Sequence, residues 1–285
     1  MSLFGPNISK MEAQRDINGL IKVVNGKDAK NRQLAVEALG RLKDPAVLSY
    51  LLALLPTESD EAVLTRVLTA IDACGWKPGT DADAAWYYAL KGNLQACAAC
   101  GAAGVRPLIV QLARNNPDPN LPRLLASIGA PAFDPLVEYA LNLTATYLLH
   151  IQFAQGSGNP DDNRASLKRQ AATIRQCMYA IAHFGTMPAY HKLGAMYNLV
   201  SEGVPAFPDE LPDLFEALAL RCAAIGALQC CPLPASLQLL AVIHSTDPSP
   251  RVRSCALQAM QTLVTQHPGM DAGLPQVRLA LEGAG

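Results

Sequence analysis

Three groups of residues in this 285-residue sequence have the types and spacing to do chemistry. The first is Trp86-Tyr87-Tyr88, three rings in a row inside a short helical pattern. Consecutive helical positions turn by about 100°, so the three sweep roughly 200° and one buried stripe cannot hide them all. At least one ring is expected at a surface, where Trp and Tyr anchor a partner through an apolar body and a polar tip. The competing reading wedges this helix between layers and uses every ring for packing. The second group is Arg164, Lys168, Arg169 and Arg175, a basic strip on one helix. Such a strip suits phosphate and is otherwise a solvated face, and Asp161-Asp162 beside it weakens the phosphate reading. The third is Cys97-Ala-Ala-Cys100, with Cys74 nearby in sequence. A helical Cys-x-x-Cys places both sulfurs on one face. Structural zinc needs four ligands, however, and no second Cys or His pair follows at matching spacing. No thioredoxin-like strand precedes the pair, so the reading is buried small residues, as for Cys230-Cys231.

The remaining polar residues give less. The histidines at 150, 183, 191, 244 and 267 form no helical ladder and no His-Glu dipeptide. Only His183 and His191, which bracket a turn after Phe184-Gly185, suggest a shared site, against the plainer reading of surface or half-buried rings. Asp209, Glu210, Asp213 and Glu216 read as the acidic start of a helix after Pro208, where carboxylates complement the helix dipole. The sequence shows no Gly-rich phosphate loop, no Gly-x-Ser-x-Gly elbow and no dinucleotide fingerprint. The expectation is a chain that is not an enzyme, with no catalytic residue, no metal and no cofactor.

Composition sets the frame for those residues. Half of the chain is hydrophobic and 16% is charged, which supports a large core and argues against disorder. Lys and Arg number 23 against 24 Asp and Glu, a net charge of −1, so nothing draws the whole molecule to nucleic acid or an anionic membrane. The start, MSLFGPNISK, has neither a basic segment nor an apolar run of the secretory kind. Residues 222–246 carry no Asp, Glu, Lys or Arg, but Pro232 and Pro234 divide them into two buried helices rather than a membrane span. A cytoplasmic protein with reduced core cysteines is expected.

The elements that must position these residues are helices. Residues 28–55 set the pattern: Leu34, Ala35, Ala38, Leu39 and Leu42 paint one helical face, Asp44-Pro45 breaks and restarts the chain, and a more uniformly apolar helix follows. Such a pair cannot bury both faces alone and needs neighbours on each side. Residues 16–24 read as the outer helix of a capping unit. A shift of 32 lays residues 60–74 over 28–42, and a shift of 28 lays Gly129, Pro135 and Leu136 over Gly101, Pro107 and Leu108. Residues 252–260 lie over 31–39, with Arg253 on Arg32. In the 28-residue echo, Gly is expected at a helix C-terminus and the Pro-Leu pair at the start of the next helix. Two segments break the period. Residues 76–94 read as an inserted helix capped by Asp81 or Asp83, and 150–165 as a loop between long helices at about 133–154 and 164–184.

At Arg32, Ala35, Ala38, Leu39, Gly40, Asp44, Ala46, Val47, Tyr50 and Leu51 the chain resembles the short bacterial HEAT-like repeats, the type also found in phycobilisome lyases. Asn31 stands where that signature usually has Val. The likeness covers residues 16–140 closely and 208–282 loosely, and it is absent between them. It implies an all-α fold, an armadillo-like α-α superhelix forming a single HEAT-repeat solenoid over 1–285. On activity the resemblance is nearly silent. Iron-binding HEAT-repeat hydroxylases of deoxyhypusine use His-Glu motifs that are missing here, and HEAT-like DNA glycosylases have broadly basic surfaces that this neutral chain lacks. The expected function is a non-catalytic scaffold or adaptor that grips a protein or peptide on its concave face. Its expected contacts are Trp86, Tyr87, Tyr88, Arg164, Lys168 and Arg175. The alternatives are tetrapyrrole handling of the bilin-lyase kind and nucleic-acid binding.

Overall fold

The computed structural model describes residues 6–114, 117–153, 160–203 and 215–283. These form sixteen α-helices, and no strand occurs among the described residues. The chain divides into two compact units, residues 1–107 and 108–285.

The first unit holds α1 (Ile8–Ala13), α2 (Ile17–Val24), α3 (Ala29–Leu42), α4 (Pro45–Leu54), α5 (Glu61–Ala73), α6 (Ala82–Leu90) and α7 (Leu94–Ala99). Aspartates start most of them. Asp16, Asp28, Asp44, Asp60 and Asp81 each cap a helix by accepting a backbone N–H of its first turn, at 2.8–3.0 Å. Each thereby satisfies an amide that the helix itself leaves open. At Asp44 the preceding Lys43 takes a left-handed φ of 50°, ending α3, and Pro45 then opens α4. α3 packs on α2 and α5, with α4 returning beside α3 and α5. The contact of α3 with α5 is close because Gly40 faces Ala70: a Cβ added at Gly40 would stand 2.6 Å from the Ala70 Cβ. Leu20, Ala35, Leu39, Val47, Leu51, Val63, Val67 and Ile71 fill the core.

The unit boundary falls within α8 (Ala102–Leu112), at Pro107. The second unit continues with α9 (Leu121–Ile128), α10 (Ala130–Phe153), α11 (Pro160–Ala182), α12 (Met187–Gly203) and α13 (Phe215–Gln229). It ends with α14 (Pro234–Thr246), α15 (Pro250–Gln266) and α16 (Pro275–Glu282). Here each helix packs on the next and on the next but one, so α9, α11, α13 and α15 form one row and α10, α12, α14 and α16 the other. Pro232 and Pro234 separate α13 from α14, and no described helix is long and apolar enough to cross a membrane.

Two of the sequence echoes fall on matching local structure. Gly101 and Gly129 both have positive φ, and each carbonyl accepts the N–H three residues on, from Gly104 and Ala132, at 3.0 Å. The helices therefore begin at Ala102 and Ala130, directly after the glycines, and Pro107 and Pro135 lie inside them rather than at their starts. The second echo is longer. A shift of 189 positions, from 32 to 221, lays α13–α15 over α3–α5. It carries Ala35, Val36, Ala38 and Leu39 onto Ala224, Ile225, Ala227 and Leu228, all buried. It also carries Pro45 onto Pro234, Leu51 onto Leu240, Val63 onto Val252 and Ala70 onto Ala259.

Candidate functional site

The same shift brings out a polar arrangement that recurs at equivalent positions of the two units. In the first unit the Arg32 Nη1 donates to both Glu58 oxygens at 3.3 and 3.1 Å, while a Glu58 oxygen accepts the Asp60 N–H at 2.8 Å. In the second unit Arg221 Nη1 donates to both Asp247 oxygens at 3.2 and 3.1 Å, and Asp247 accepts the Ser249 N–H at 2.8 Å. Arg on one helix thus reaches the acid in the turn before the next helix of its row, and that acid fixes the turn. The second pair is the more buried: Arg221 and Asp247 side chains are 8% and 1% exposed, against 20% and 5% for Arg32 and Glu58. Asp247 also accepts the buried Tyr197 hydroxyl from α12, and Arg253 donates to the Asp247 carbonyl at 2.8 Å. Burial, then the bond to Asp247, pushes the Tyr197 hydroxyl well above its ordinary pKa. These groups were not expected as a cluster, and their work is structural: two helices and a turn meet at one carboxylate, and a third helix holds the carbonyl of the same residue.

The aromatic triplet lies on α6, and all three rings are half-buried. Trp86 and Tyr87 pack against the core of the first unit. Trp76, from the segment before α6, meets Tyr87 edge-on with ring centres 5.4 Å apart. The Tyr87 hydroxyl donates to Asp72 of α5 at 2.5 Å, and Lys91 Nζ holds the other Asp72 oxygen at 2.6 Å. Lys91 also stands 5.6 Å from the Tyr87 ring centre, a cation–π contact. Burial and then the Asp72 bond push the Tyr87 hydroxyl up to about 12. Burial works against the Asp72 carboxylate, but its bonds from Lys91 and Tyr87 outweigh this and hold its pKa below the usual value. The Tyr88 hydroxyl donates to the Pro78 carbonyl at 3.2 Å. The polar tips of both tyrosines thus dock α6 and the residues before it, while part of each ring faces solvent.

Arg164, Lys168 and Arg175 lie on α11, in the second unit, so the structure describes them apart from the aromatics. At helical spacing they fall within about 40° of one another, and Arg169 points roughly 140° away. Arg164 and Lys168 are exposed and Arg175 is half-buried. The side chains of Asp161, Asp162 and Glu216 lie outside the described residues, as do Asp209, Glu210 and Asp213. Of the expected loop at 150–165, residues 150–153 belong to α10 and 160–165 to α11, and 154–159 lie outside the described residues.

Cys97, Cys100, Cys177 and Cys231 are buried thiols, whereas Cys230 is exposed and Cys74, Cys222 and Cys255 are half-buried. Burial pushes the Cys97 and Cys177 thiols up to about 12, which keeps them protonated. His183 and His191 are exposed, and among the described residues no three His, Cys, Asp or Glu side chains gather closely enough to hold a metal.

An open groove in the second unit lies between α12, α14 and α16. Its volume is about 510 Å³, and its lining includes Tyr190, Leu239, Val242, Leu274 and Pro275, with the amides of Gln238 and Gln276 beside them. Val242 is 46% exposed, an apolar side chain on a helix whose other face is core. The smaller hollow of the first unit, about 300 Å³ along α3 and α5, is bordered by ion pairs, Arg66 with Glu37 and Arg41 with Glu12.

No protein-family model matches the sequence, and no curated protein matches it. The functional argument therefore stands on this geometry. Sequence reasoning selected the aromatics and the basic strip and missed the groove, because Val242, Leu239 and Pro275 are unremarkable letters in helices rich in the same residues. The one available signal was an apolar residue out of phase with the buried stripe of α14.

Proposed function

We propose that this chain is a HEAT-like, armadillo-like helical-repeat protein, an α-α superhelix that serves in the cytoplasm as a non-catalytic scaffold for a protein or peptide. The observation that carries the binding reading is the groove between α12, α14 and α16. Leu239, Val242, Leu274 and Pro275 offer an apolar floor, and the Gln238 and Gln276 amides can each donate to and accept from a peptide backbone. Its volume of about 510 Å³ lies in the range of pockets that take a few side chains. The repeat reading is supported by the matched Arg–acid pairs at 32 with 58 and 221 with 247. Trp86, Tyr87, Tyr88, Arg164, Lys168 and Arg175 remain the proposed further contacts.

The test is selection from a displayed library of random peptides, run on the wild type, on Val242→Glu and on Trp86→Ala/Tyr87→Ala. An enriched motif with bulky apolar residues, bound at least ~10-fold more weakly by Val242→Glu, is the expected result. Val242 is exposed, so that substitution should change stability by no more than about 0.5 kcal/mol. An absence of any enriched motif, or binding indifferent to Val242→Glu, overturns the groove reading. Loss only in the aromatic variant, with helical circular dichroism intact, moves the site to α6.

A further inference from the structure

Cys222 of α13 and Cys255 of α15 bring their sulfurs to 3.3 Å, one thiol donating to the other. Both are half-buried, so a small oxidant can reach them. The fold does not call for sulfur there. The 189-residue shift puts half-buried Gln33 and exposed Arg66 at the equivalent positions of the first unit, on the flanks of helices that pack equally directly. The contact is therefore a property of this repeat and not of repeats in general. We propose that Cys222 and Cys255 form an oxidative modification site, converted by a hydroperoxide into a disulfide that staples α13 to α15.

The chemistry balances within the pair and its oxidant. One sulfur, as thiolate, attacks the O–O bond of hydrogen peroxide, giving a sulfenic acid and, after proton transfer, water. The neighbouring sulfur then attacks the sulfenic sulfur, the S–S bond forms as the S–O bond breaks, and the departing hydroxide takes up the second thiol's proton as water. Two thiols lose two hydrogens and one peroxide becomes two waters. Burial, and then the bond from Cys255, hold the Cys222 thiol above its ordinary pKa, with Arg251 and Arg221 pulling the other way. Thiolate is scarce at Cys222, so the pair answers a heavy oxidant load rather than turning over. Forming a bond of about 2.05 Å needs the sulfurs to approach by a little over 1 Å, within the reach of side-chain rotation and a small helix shift. The staple would sit next to Arg221 and lock the helices that carry the Asp247 cluster.

The test uses the full chain at neutral pH with hydrogen peroxide, followed by alkylation and peptide mass mapping without reductant. The expected product is the Cys222 peptide joined to the Cys255 peptide with loss of two hydrogens, reversed by dithiothreitol. Closing a loop of this length should raise the thermal midpoint by roughly 5–10 °C in the wild type. Cys255→Ser should match the reduced wild type and show no rise. The proposal is overturned if Cys222 and Cys255 stay alkylatable after exposed Cys230 has been oxidised. It is also overturned if the bond forms and the midpoint does not move.

Discussion

Asp247→Ala removes a carboxylate that three groups share, and its cost can be worked from the structure. Arg221, 8% exposed, loses both of its hydrogen bonds to Asp247 and is left as a buried cation. Breaking one side of such a pair costs about 3–5 kcal/mol, because the remaining charge has neither its partner nor water. The Tyr197 hydroxyl and the Ser249 N–H lose their acceptor as well, and water entering the space left by the carboxylate offsets part of that. A net loss of about 4 kcal/mol corresponds to a fall of roughly 10 °C in the thermal midpoint, followed by far-UV circular dichroism. Glu58→Ala is the internal control. Arg32 keeps Asp60 at 3.5 Å and is more exposed, so the loss there should be about 1–2 kcal/mol. The double variant Asp247→Ala/Arg221→Met removes the stranded cation, and should be more stable than the sum of its single changes by about 2 kcal/mol. A loss under about 1 kcal/mol for Asp247→Ala, or strict additivity in the cycle, would refute the claim that this pair fixes the turn before α15.

Two further outcomes follow from the packing of α3 on α5 and from the phenols of Tyr87 and Tyr197. Gly40→Ala places a Cβ 2.6 Å from the Ala70 Cβ, so α3 and α5 must move apart at a cost of about 1–3 kcal/mol. Both tryptophans, Trp76 and Trp86, lie in the first unit, and their fluorescence should report the lower unfolding midpoint; an unchanged midpoint would mean the helices separate freely. Alkaline stability is the second. The folded Tyr87 and Tyr197 hydroxyls both have raised pKa values, Tyr87 to about 12, so the fold favours their neutral forms. That contribution is fully present below the ordinary tyrosine pKa of about 10 and is lost as pH rises through the folded values. Thermal midpoints should fall between about pH 10 and pH 12, less steeply in Tyr197→Phe, and equal slopes in the two proteins would show that Tyr197 carries none of the effect.

Local chemistry was legible in the sequence, and long-range pairing was not. Asp44 and Asp81 announced their helices because a cap is made within three residues of itself. The division at Pro232 and Pro234 followed for the same reason. Pro107 and Pro135 misled, since the positive φ of Gly101 and Gly129 sets each start and the helices run on through the prolines. Cys230 was read as core beside Cys231, yet neighbours at the end of a helix point about 100° apart, and only Cys231 faces inward. The fate of the α6 rings depended on Asp72 and Pro78, which meet them only once α6 has docked. Arg221 and Asp247 were invisible as a pair because 26 residues, including a whole helix, separate them.

The two Arg–acid pairs also show why one buries more deeply than the other. In the first unit Arg32 faces two carboxylates, Glu58 and Asp60, so the cluster carries a net negative charge and stays open to water. In the second unit Ser249 replaces Asp60 as the cap, so Arg221 faces a single carboxylate, while Arg253 is taken up by the Asp247 and Pro248 carbonyls. A neutral pair can be dehydrated where a charged triad cannot, provided its spare lone pairs are filled. Tyr197 fills them, as an uncharged donor that adds no charge to the site. The exchange of a second carboxylate for a serine and a buried phenol therefore explains, in one step, the lower exposure of the pair, the raised pKa of Tyr197, and the larger cost assigned to Asp247→Ala.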